Sequence, residues 1–261
     1  MTVGFIGTGN MGSAVARAVR AGCGEVRLVL ANRTAEKAVV LARELSGEAL
    51  ENEAVAASAD VLFLCVKPNQ LEDISPAVHA GFASAPKHHL LVSMAAGRDL
   101  SALQVLFGDL PIIRIMPNLP VSVGCGTTPM AANDAVSVED KKELGRLLTA
   151  SGSIYEVPER LLDAAAGVTG CGPAYAAIFA EALADGAVSC GIPRSDALRY
   201  ALEMLRGTAE LLLSNGEHPA ILKDRVCSPG GSTIQGVRAL EESGFRAAVM
   251  KAVIAANEKK F

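Results

Sequence analysis

Apolar and polar positions along the chain change their rhythm near residue 158. From Val3 to about Pro158, short apolar runs rich in β-branched residues alternate with stretches of helical spacing. The clearest runs are Val3–Ile6, Val26–Leu30, Val61–Val66, Leu90–Met94, Ile112–Met116 and Ile154–Val157. Runs of that length with little polar alternation suit strands covered on both faces, so the alternation predicts a mostly parallel sheet flanked by helices. Beyond Glu159 the strand runs stop. Long Ala/Leu-rich segments follow, punctuated by Gly172-Pro173, Gly191-Ile192-Pro193, Asn215-Gly216 and Ser228-Pro229-Gly230-Gly231, which predicts an all-helical second half. The expected division is therefore 1–158 and 159–261. The first helix of the second half, Pro173 to Val188, carries only Glu181 and Asp185 as charges and should be buried, with a subunit interface as one place for it.

Composition narrows the partners. Half of the 261 residues are hydrophobic, aromatics are 4% and Trp is absent, as suits close-packed helices and parallel strands. Charges of both signs are dispersed and the net charge is −4, so nothing marks a nucleic-acid or anionic-membrane surface; a small molecule is the expected partner. The six cysteines are far apart, lack a Cys-x-x-Cys pair and mostly sit in apolar runs, reading as buried thiols of a reducing cytoplasm. The four histidines show no metal-ligand spacing, so no metal is expected. A strand starting at Val3 leaves no room for a targeting peptide, and no apolar stretch is long enough for a membrane span. The expectation is a soluble cytoplasmic protein.

Chemistry enters at Gly7-Thr8-Gly9-Asn10-Met11-Gly12, a G-x-G-x-x-G turn that follows one predicted strand and opens the helical run Met11–Ala21. Such glycines permit a tight turn and let backbone amides approach a pyrophosphate at a helix N-terminus. After the second strand an NAD site usually places Asp or Glu on the ribose hydroxyls, whereas this chain has Asn32-Arg33-Thr34. An amide, a guanidinium and a hydroxyl suit a 2′-phosphate instead, which favours NADPH while leaving NADH possible. Three further segments, Cys65-Val66-Lys67-Pro68, Ser93-Met94-Ala95-Ala96-Gly97 and Met116-Pro117-Asn118, fall at predicted carboxyl ends of strands, where open α/β sheets bind ligands. In the helical half, Cys227-Ser228-Pro229-Gly230-Gly231-Ser232-Thr233 feeds a helix starting near Ser232, whose free amides suit a carboxylate.

From end to end the chain resembles the pyrroline-5-carboxylate reductase family. The resemblance is carried by Gly4-Phe5-Ile6-Gly7 through Gly12, Cys65–Pro68, Ala95-Ala96-Gly97, Met116-Pro117-Asn118, Gly170-Cys171-Gly172-Pro173-Ala174-Tyr175, Asp185-Gly186 and Ser228–Gly231 with Thr233. It implies a Rossmann domain followed by a helical dimerisation domain, reduction of pyrroline-5-carboxylate to L-proline, and a homodimer or higher homo-oligomer. Together with the reading of Asn32, Arg33, Thr34 and Met94 at the strand ends, it places the cofactor on Gly7, Gly9, Asn10, Met11, Gly12, Asn32, Arg33, Thr34, Asn52, Val66, Lys67, Pro68, Met94, Ala95 and Ala96. The substrate carboxylate falls to the Gly231, Ser232 and Thr233 amides and its ring nitrogen to the Thr233 hydroxyl, with Glu159 an acidic residue near the substrate that favours the cationic imine. Leu119, Cys171 and Arg225 depart from residues common in the family, the last leaving the support of the Ser228–Gly231 loop open.

Two rival readings differ in chemistry. A β-hydroxyacid dehydrogenase shares the glycine-rich start, and Gly167–Gly172 imitates one of its motifs, but Ala176 stands where its catalytic Lys belongs and alcohol oxidation needs a base. A non-catalytic NADPH-sensing module would bind the cofactor without consuming it.

Overall fold

The computed structural model describes residues 1–258. The described chain divides into two compact units, Met1–Gly170 and Cys171–Glu258.

The first unit is a sheet with helices on both faces. Its strands are β1 (Thr2–Ile6), β2 (Arg27–Ala31), β3 (Glu48–Ala49), β4 (Val61–Leu64), β5 (Leu90–Ser93), β6 (Ile112–Ile115), β7 (Gly126–Ala132) and β8 (Gly152–Glu156), in the spatial order β3-β2-β1-β4-β5-β6-β7-β8. All neighbours are parallel except β6 and β7. The first six strands thus follow the doubly wound dinucleotide-binding order, whose reversal point lies between β1 and β4. Helices α1 (Asn10–Gly22), α2 (Ala35–Glu44), α3 (Asn52–Ser58), α4 (Leu71–Ser84), α5 (Leu100–Phe107), α6 (Val138–Leu147) and α7 (Leu162–Thr169) belong to this unit.

Alternation along the central strands divides the core into two layers. Val3, Phe5, Val61 and Phe63 face α1, α2 and α6, meeting Val15, Val19, Leu41 and Leu144. Ile6, Leu62 and Leu64 face α3, α4 and α5, meeting Val55, Val78 and Leu103. Phe5 and Phe63 are register partners, and their rings stack with centroids 4.7 Å apart. Apolar residues on both faces explain why these strands read as unbroken runs rather than alternating ones.

Strand β7 escapes the apolar-run criterion. It contains Pro129 and opens on Gly126, both unfavourable within a strand. It exists because β6 and β8 flank it: the Pro129 carbonyl accepts from Met116 N at 2.9 Å and the Met130 carbonyl from Val157 N at 2.9 Å.

The second unit holds α8 (Gly172–Ser189), α9 (Arg194–Asn215), α10 (Pro219–Val226), α11 (Ser232–Glu242) and α12 (Phe245–Glu258). Pro173 starts α8 where a missing N–H costs nothing, and Gly216, at φ 64°, ends α9 in the left-handed conformation. Helices α8 and α9 pack through the small buried residues Ala180, Ala184, Ala197 and Ala201. The Tyr175 hydroxyl donates to the Ala252 carbonyl at 3.2 Å, and the Phe179 and Phe245 rings meet at 5.5 Å.

The cysteines correct the sequence expectation. All six are free, but only Cys23 is buried, while Cys125 and Cys190 are exposed. Cys125 lies in a loop ahead of β7 and Cys190 caps the C-terminus of α8, places where apolar neighbours in sequence do not guarantee cover. No helix among the described residues is long and apolar enough to cross a membrane.

Candidate functional site

The glycine-rich turn joins β1 to α1 at the reversal point of the sheet. Two of its three glycines answer to the protein itself. Gly7 has φ 100°, and a Cβ there would lie 2.7 Å from the Cys65 carbonyl oxygen. A Cβ on Gly12 would overlap the Gly7 carbonyl oxygen. Gly9 answers to neither demand: its φ of −71° is open to any residue, and nothing of the protein lies within 4 Å of a Cβ placed there. What remains is approach by something outside the protein, the role such a glycine has beside a pyrophosphate. Gly9 is also the N-cap of α1 and offers no side-chain cap, so the amides of Asn10, Met11 and Gly12 are open to an anion.

Beyond β2, Asn32 braces this turn. Its Oδ1 accepts from Thr8 N at 3.0 Å and its Nδ2 donates to the Thr34 carbonyl at 3.0 Å. The amide expected on a 2′-phosphate thus already spends its oxygen and one of its two N–H groups on the turn, while Arg33 and Thr34 make no side-chain hydrogen bond among the described residues. Arg33 is exposed, and Thr34, the N-cap of α2, makes no side-chain cap bond. Asn32, Arg33 and Asn52 together line a cavity of about 620 Å³ with Leu50 and Glu51, within the range of small-ligand sites. Asn52 opens α3, which is how a residue some twenty positions on reaches the end of β2.

Since β1, β4, β5 and β6 are parallel, the three predicted strand-end segments emerge along one edge. Gly7 N donates to the Ala31 carbonyl, Cys65 N to the Ile6 carbonyl and Met94 N to the Leu64 carbonyl, at 2.8, 2.8 and 3.0 Å, so the glycine turn and the Cys65 and Met94 segments prolong the ladder side by side, whereas Met116 N turns to the Pro129 carbonyl of β7. Although Cys65 as a residue is only half-buried, the protein around its thiol keeps water away and pushes the thiol up, so it is protonated at neutral pH. Lys67 is exposed, and its backbone N–H donates to Gln70 Oε1 at 3.2 Å, starting a short turn at Pro68. Val66 and Pro68 are half-buried. Ala95 is buried, with Met94 and Ala96 half-buried beside it. Asn118 is structural: its Nδ2 donates to the Thr169 carbonyl and its Oδ1 accepts from Thr127 N, both at 2.9 Å.

Glu159 lies in the first unit, beside a residue that pattern reading overlooked. Arg114 on β6 is only 3% exposed; its Nη1 donates to Glu159 Oε1 at 2.8 Å and its Nη2 to Asp163 Oδ1 at 3.4 Å. The same Glu159 Oε1 accepts from Leu100 N at 2.6 Å. A lone Arg inside Ile112-Ile113-Arg114-Ile115 was the available signal, because a buried guanidinium requires acidic partners.

In the second unit, the loop before α11 is shaped by its glycines. Gly230 has φ 70°, and a Cβ on Gly231 would overlap Ser228 Oγ; Gly231 N donates to the Ser228 carbonyl at 3.0 Å. Gly231 is the N-cap of α11 and supplies no side-chain cap, so the Ser232 and Thr233 amides are open; both residues are exposed. Arg225 places Nη2 2.7 Å from Glu217 Oε2, so the departure at this position carries its own acidic partner.

A doubly wound sheet with a glycine turn left clear at its reversal point, and a cavity at the end of β2, defines a dinucleotide-binding oxidoreductase of the Rossmann type. The chain is 39% identical to pyrroline-5-carboxylate reductase of Escherichia coli, covering 98% of this chain and 96% of that protein. It belongs to the pyrroline-5-carboxylate reductase family. A Synechocystis reductase of the same name is 47% identical over 79% of this chain and 76% of its own. Residues 159–260 match the family model described as pyrroline-5-carboxylate reductase dimerisation, and residues 2–97 match NADP oxidoreductase coenzyme F420-dependent. Among solved structures, the Plasmodium falciparum pyrroline carboxylate reductase with NADP bound is similar at a TM-score of 0.87 and 30% identity, covering 100% of this chain and 97% of that one.

Proposed function

We propose that this chain reduces 1-pyrroline-5-carboxylate to L-proline with NADPH, the closing step of proline biosynthesis, as a homodimer or higher homo-oligomer in the cytoplasm. The observation that carries the reading is a pair of matched helix starts in one chain of this family. The N-caps of α1 and α11 are both glycine, with φ, ψ of −71°, −172° and −74°, 172°, and neither supplies a side-chain cap. One such start suits a pyrophosphate and the other a carboxylate.

When bound, the nicotinamide supplies hydride to the C=N carbon; with one proton taken up at nitrogen, the cyclic imine becomes a secondary amine and NADPH becomes NADP⁺. The imine is basic enough to arrive protonated, so the chain's task is positioning, which contributes up to about 7–11 kcal/mol in well-oriented reactions. In this reading the Gly7–Gly12 turn holds the pyrophosphate, Arg33 and Thr34 hold the 2′-phosphate, and Asn32 keeps the turn in place. Asn52 lies on the adenosine side, and Val66, Lys67, Pro68, Met94, Ala95 and Ala96 lie toward the nicotinamide. The Gly231, Ser232 and Thr233 amides hold the substrate carboxylate, and the Thr233 hydroxyl orients the ring nitrogen. The missing Lys at Ala176 disfavours an alcohol dehydrogenase.

The deciding experiment is NADPH oxidation with pyrroline-5-carboxylate by the purified full chain, for the wild type, Thr233→Ala and Thr233→Ser. Wild-type turnover is expected, with kcat/KM falling roughly five- to 150-fold in the Ala variant if the lost hydrogen bond contributes about 1–3 kcal/mol. Ser should restore much of the rate. NADPH binding without consumption by the wild type would favour a sensor.

A further inference from the structure

We infer that Arg114 and Glu159 are positioning residues for the Met94–Gly97 loop, and through it for the nicotinamide end of the cofactor; this rests on the reading just given. Arg114 is the register partner of Ser93, the last residue of β5, so its guanidinium sits at the level where the loop departs. At that departure Ser93 Oγ accepts from Ala95 N at 3.3 Å. The loop returns to the fold at Leu100, the first residue of α5, whose N–H donates to Glu159 Oε1. The same oxygen accepts from Arg114 Nη1. Asp99 Oδ1 caps this helix start by accepting from Ala102 N at 2.7 Å. One carboxylate oxygen thus ties the landing point of the loop to a buried cation beneath its starting point.

The arrangement answers a specific need. Small loop residues such as Ala95 and Ala96 have no long side chains with which to hold their own backbone, so the placement of the loop depends on its ends. Displacement of a reacting group by about 1 Å can cost two orders of magnitude in rate. Arg114 needs carboxylates because its side chain is only 4% exposed, and Glu159 meets that need while remaining 32% exposed. With its Oε1 shared between Arg114 and Leu100, Glu159 acts on the protein's own groups rather than on the charge of the imine.

The test uses Arg114→Met, Arg114→Lys, Glu159→Gln and the Met/Gln double variant of the full chain. Four quantities are read: amide exchange at Leu100 without cofactor, NADPH affinity by fluorescence without substrate, KM for the imine, and the pH profile of kcat. Arg114→Met should speed Leu100 exchange and weaken NADPH about tenfold, a change of modest free energy. The imine KM should stay within about twofold, since another unit holds the carboxylate. Arg114→Lys keeps the buried charge without the two-pronged donor and should recover more than half of the loss. Glu159→Gln keeps an acceptor for Leu100 but no charge for Arg114, so the same pattern should appear at smaller size. The double variant should be no worse than Arg114→Met alone. Should Arg114→Met fail to fold, Arg114→Lys and Glu159→Gln decide by the same measurements. The inference is overturned if Glu159→Gln moves the imine KM or the pH profile while Leu100 exchange and NADPH affinity stay at wild-type values. It is equally overturned if no variant changes NADPH affinity. Exchange and affinity are read without substrate, so they stand or fall separately from the identity of the imine.

Discussion

The sheet half and the helical half treat their apolar residues differently. In the first, large side chains from β1, β4, β5 and β6 are fully buried between two helical layers of the same chain. In the second, the residues buried among those described are four alanines of α8 and α9, while Ile178, Phe179, Phe245 and Val249 line an open apolar cavity of about 610 Å³. Exposed apolar residues scattered singly need no explanation, but a contiguous group marks an interaction surface. The Rossmann half completes its own core, whereas the helical half of the single chain leaves a contiguous apolar group uncovered.

The largest effect should come from placing a charge on that surface. Ile178, 65% exposed in the single chain, and Val105, 90% exposed on α5, offer a matched pair. If the cavity is filled by a second copy, Ile178→Asp forces an unpaired charge into an apolar interface, and sedimentation should show dissociation with loss of activity. Val105→Asp should change stability by no more than about 0.5 kcal/mol. Equal tolerance of both substitutions would erase the contrast between the halves.

Next in size, the glycines of the β1–α1 turn separate folding from binding within the self-contained half. Gly12→Ala must move the Gly7 carbonyl and should lower Tm by several degrees, as a destabilisation of about 1–3 kcal/mol does. Gly9→Ala meets nothing in the protein, so Tm should hold while NADPH affinity drops at least about tenfold. Intact affinity in Gly9→Ala would leave that glycine without a purpose.

A change confined to one of the two cofactors is expected from Arg33→Ala. A charge-assisted hydrogen bond contributes about 1.5–3 kcal/mol, so NADPH should weaken by roughly ten- to a hundredfold and NADH hardly at all. Titration showing equal losses would move the 2′-phosphate elsewhere in the Asn32–Asn52 cavity.

The smallest effect concerns the base of the sheet half. Burial opposes ionisation of Asp140, yet hydrogen bonds from His88 at 2.7 Å and from Ser137 N and Oγ outweigh it and hold the carboxyl below its ordinary value. A carboxyl lowered on folding adds stability that is complete above its unfolded value and lost as the pH falls through the folded one. Asp140→Ala should therefore cost about 1–2 kcal/mol at neutral pH, including the capping box of α6, and the difference should shrink below about pH 4. A difference that stayed constant from pH 7 to pH 3 would assign the loss to packing alone.

How far each half could be read follows from where its information is stored. The central strands were legible because burial on both faces leaves unbroken apolar runs, and α8, expected over Pro173–Val188, spans Gly172–Ser189. Strand β7 was not legible, because Gly126 and Pro129 are strand residues only through the neighbours they pair with. Among candidate site residues, the glycines and the Ser228–Thr233 loop were recognisable because backbone approach to an anion demands small residues in a fixed local order. The brace made by Asn32, and the sharing of Glu159 between Arg114 and Leu100, depend on residues 24, 45 and 59 positions apart.

The class of fold, the two kinds of half and the turns fit for anions are written locally in the residues, since periodicity, glycine conformation and helix N-termini are local physics. Which polar groups are spent on one another, and hence that Asn32 braces the turn while Arg33 stays open, is fixed only when the chain closes. A hydrogen bond between distant segments exists only once the chain has closed around it.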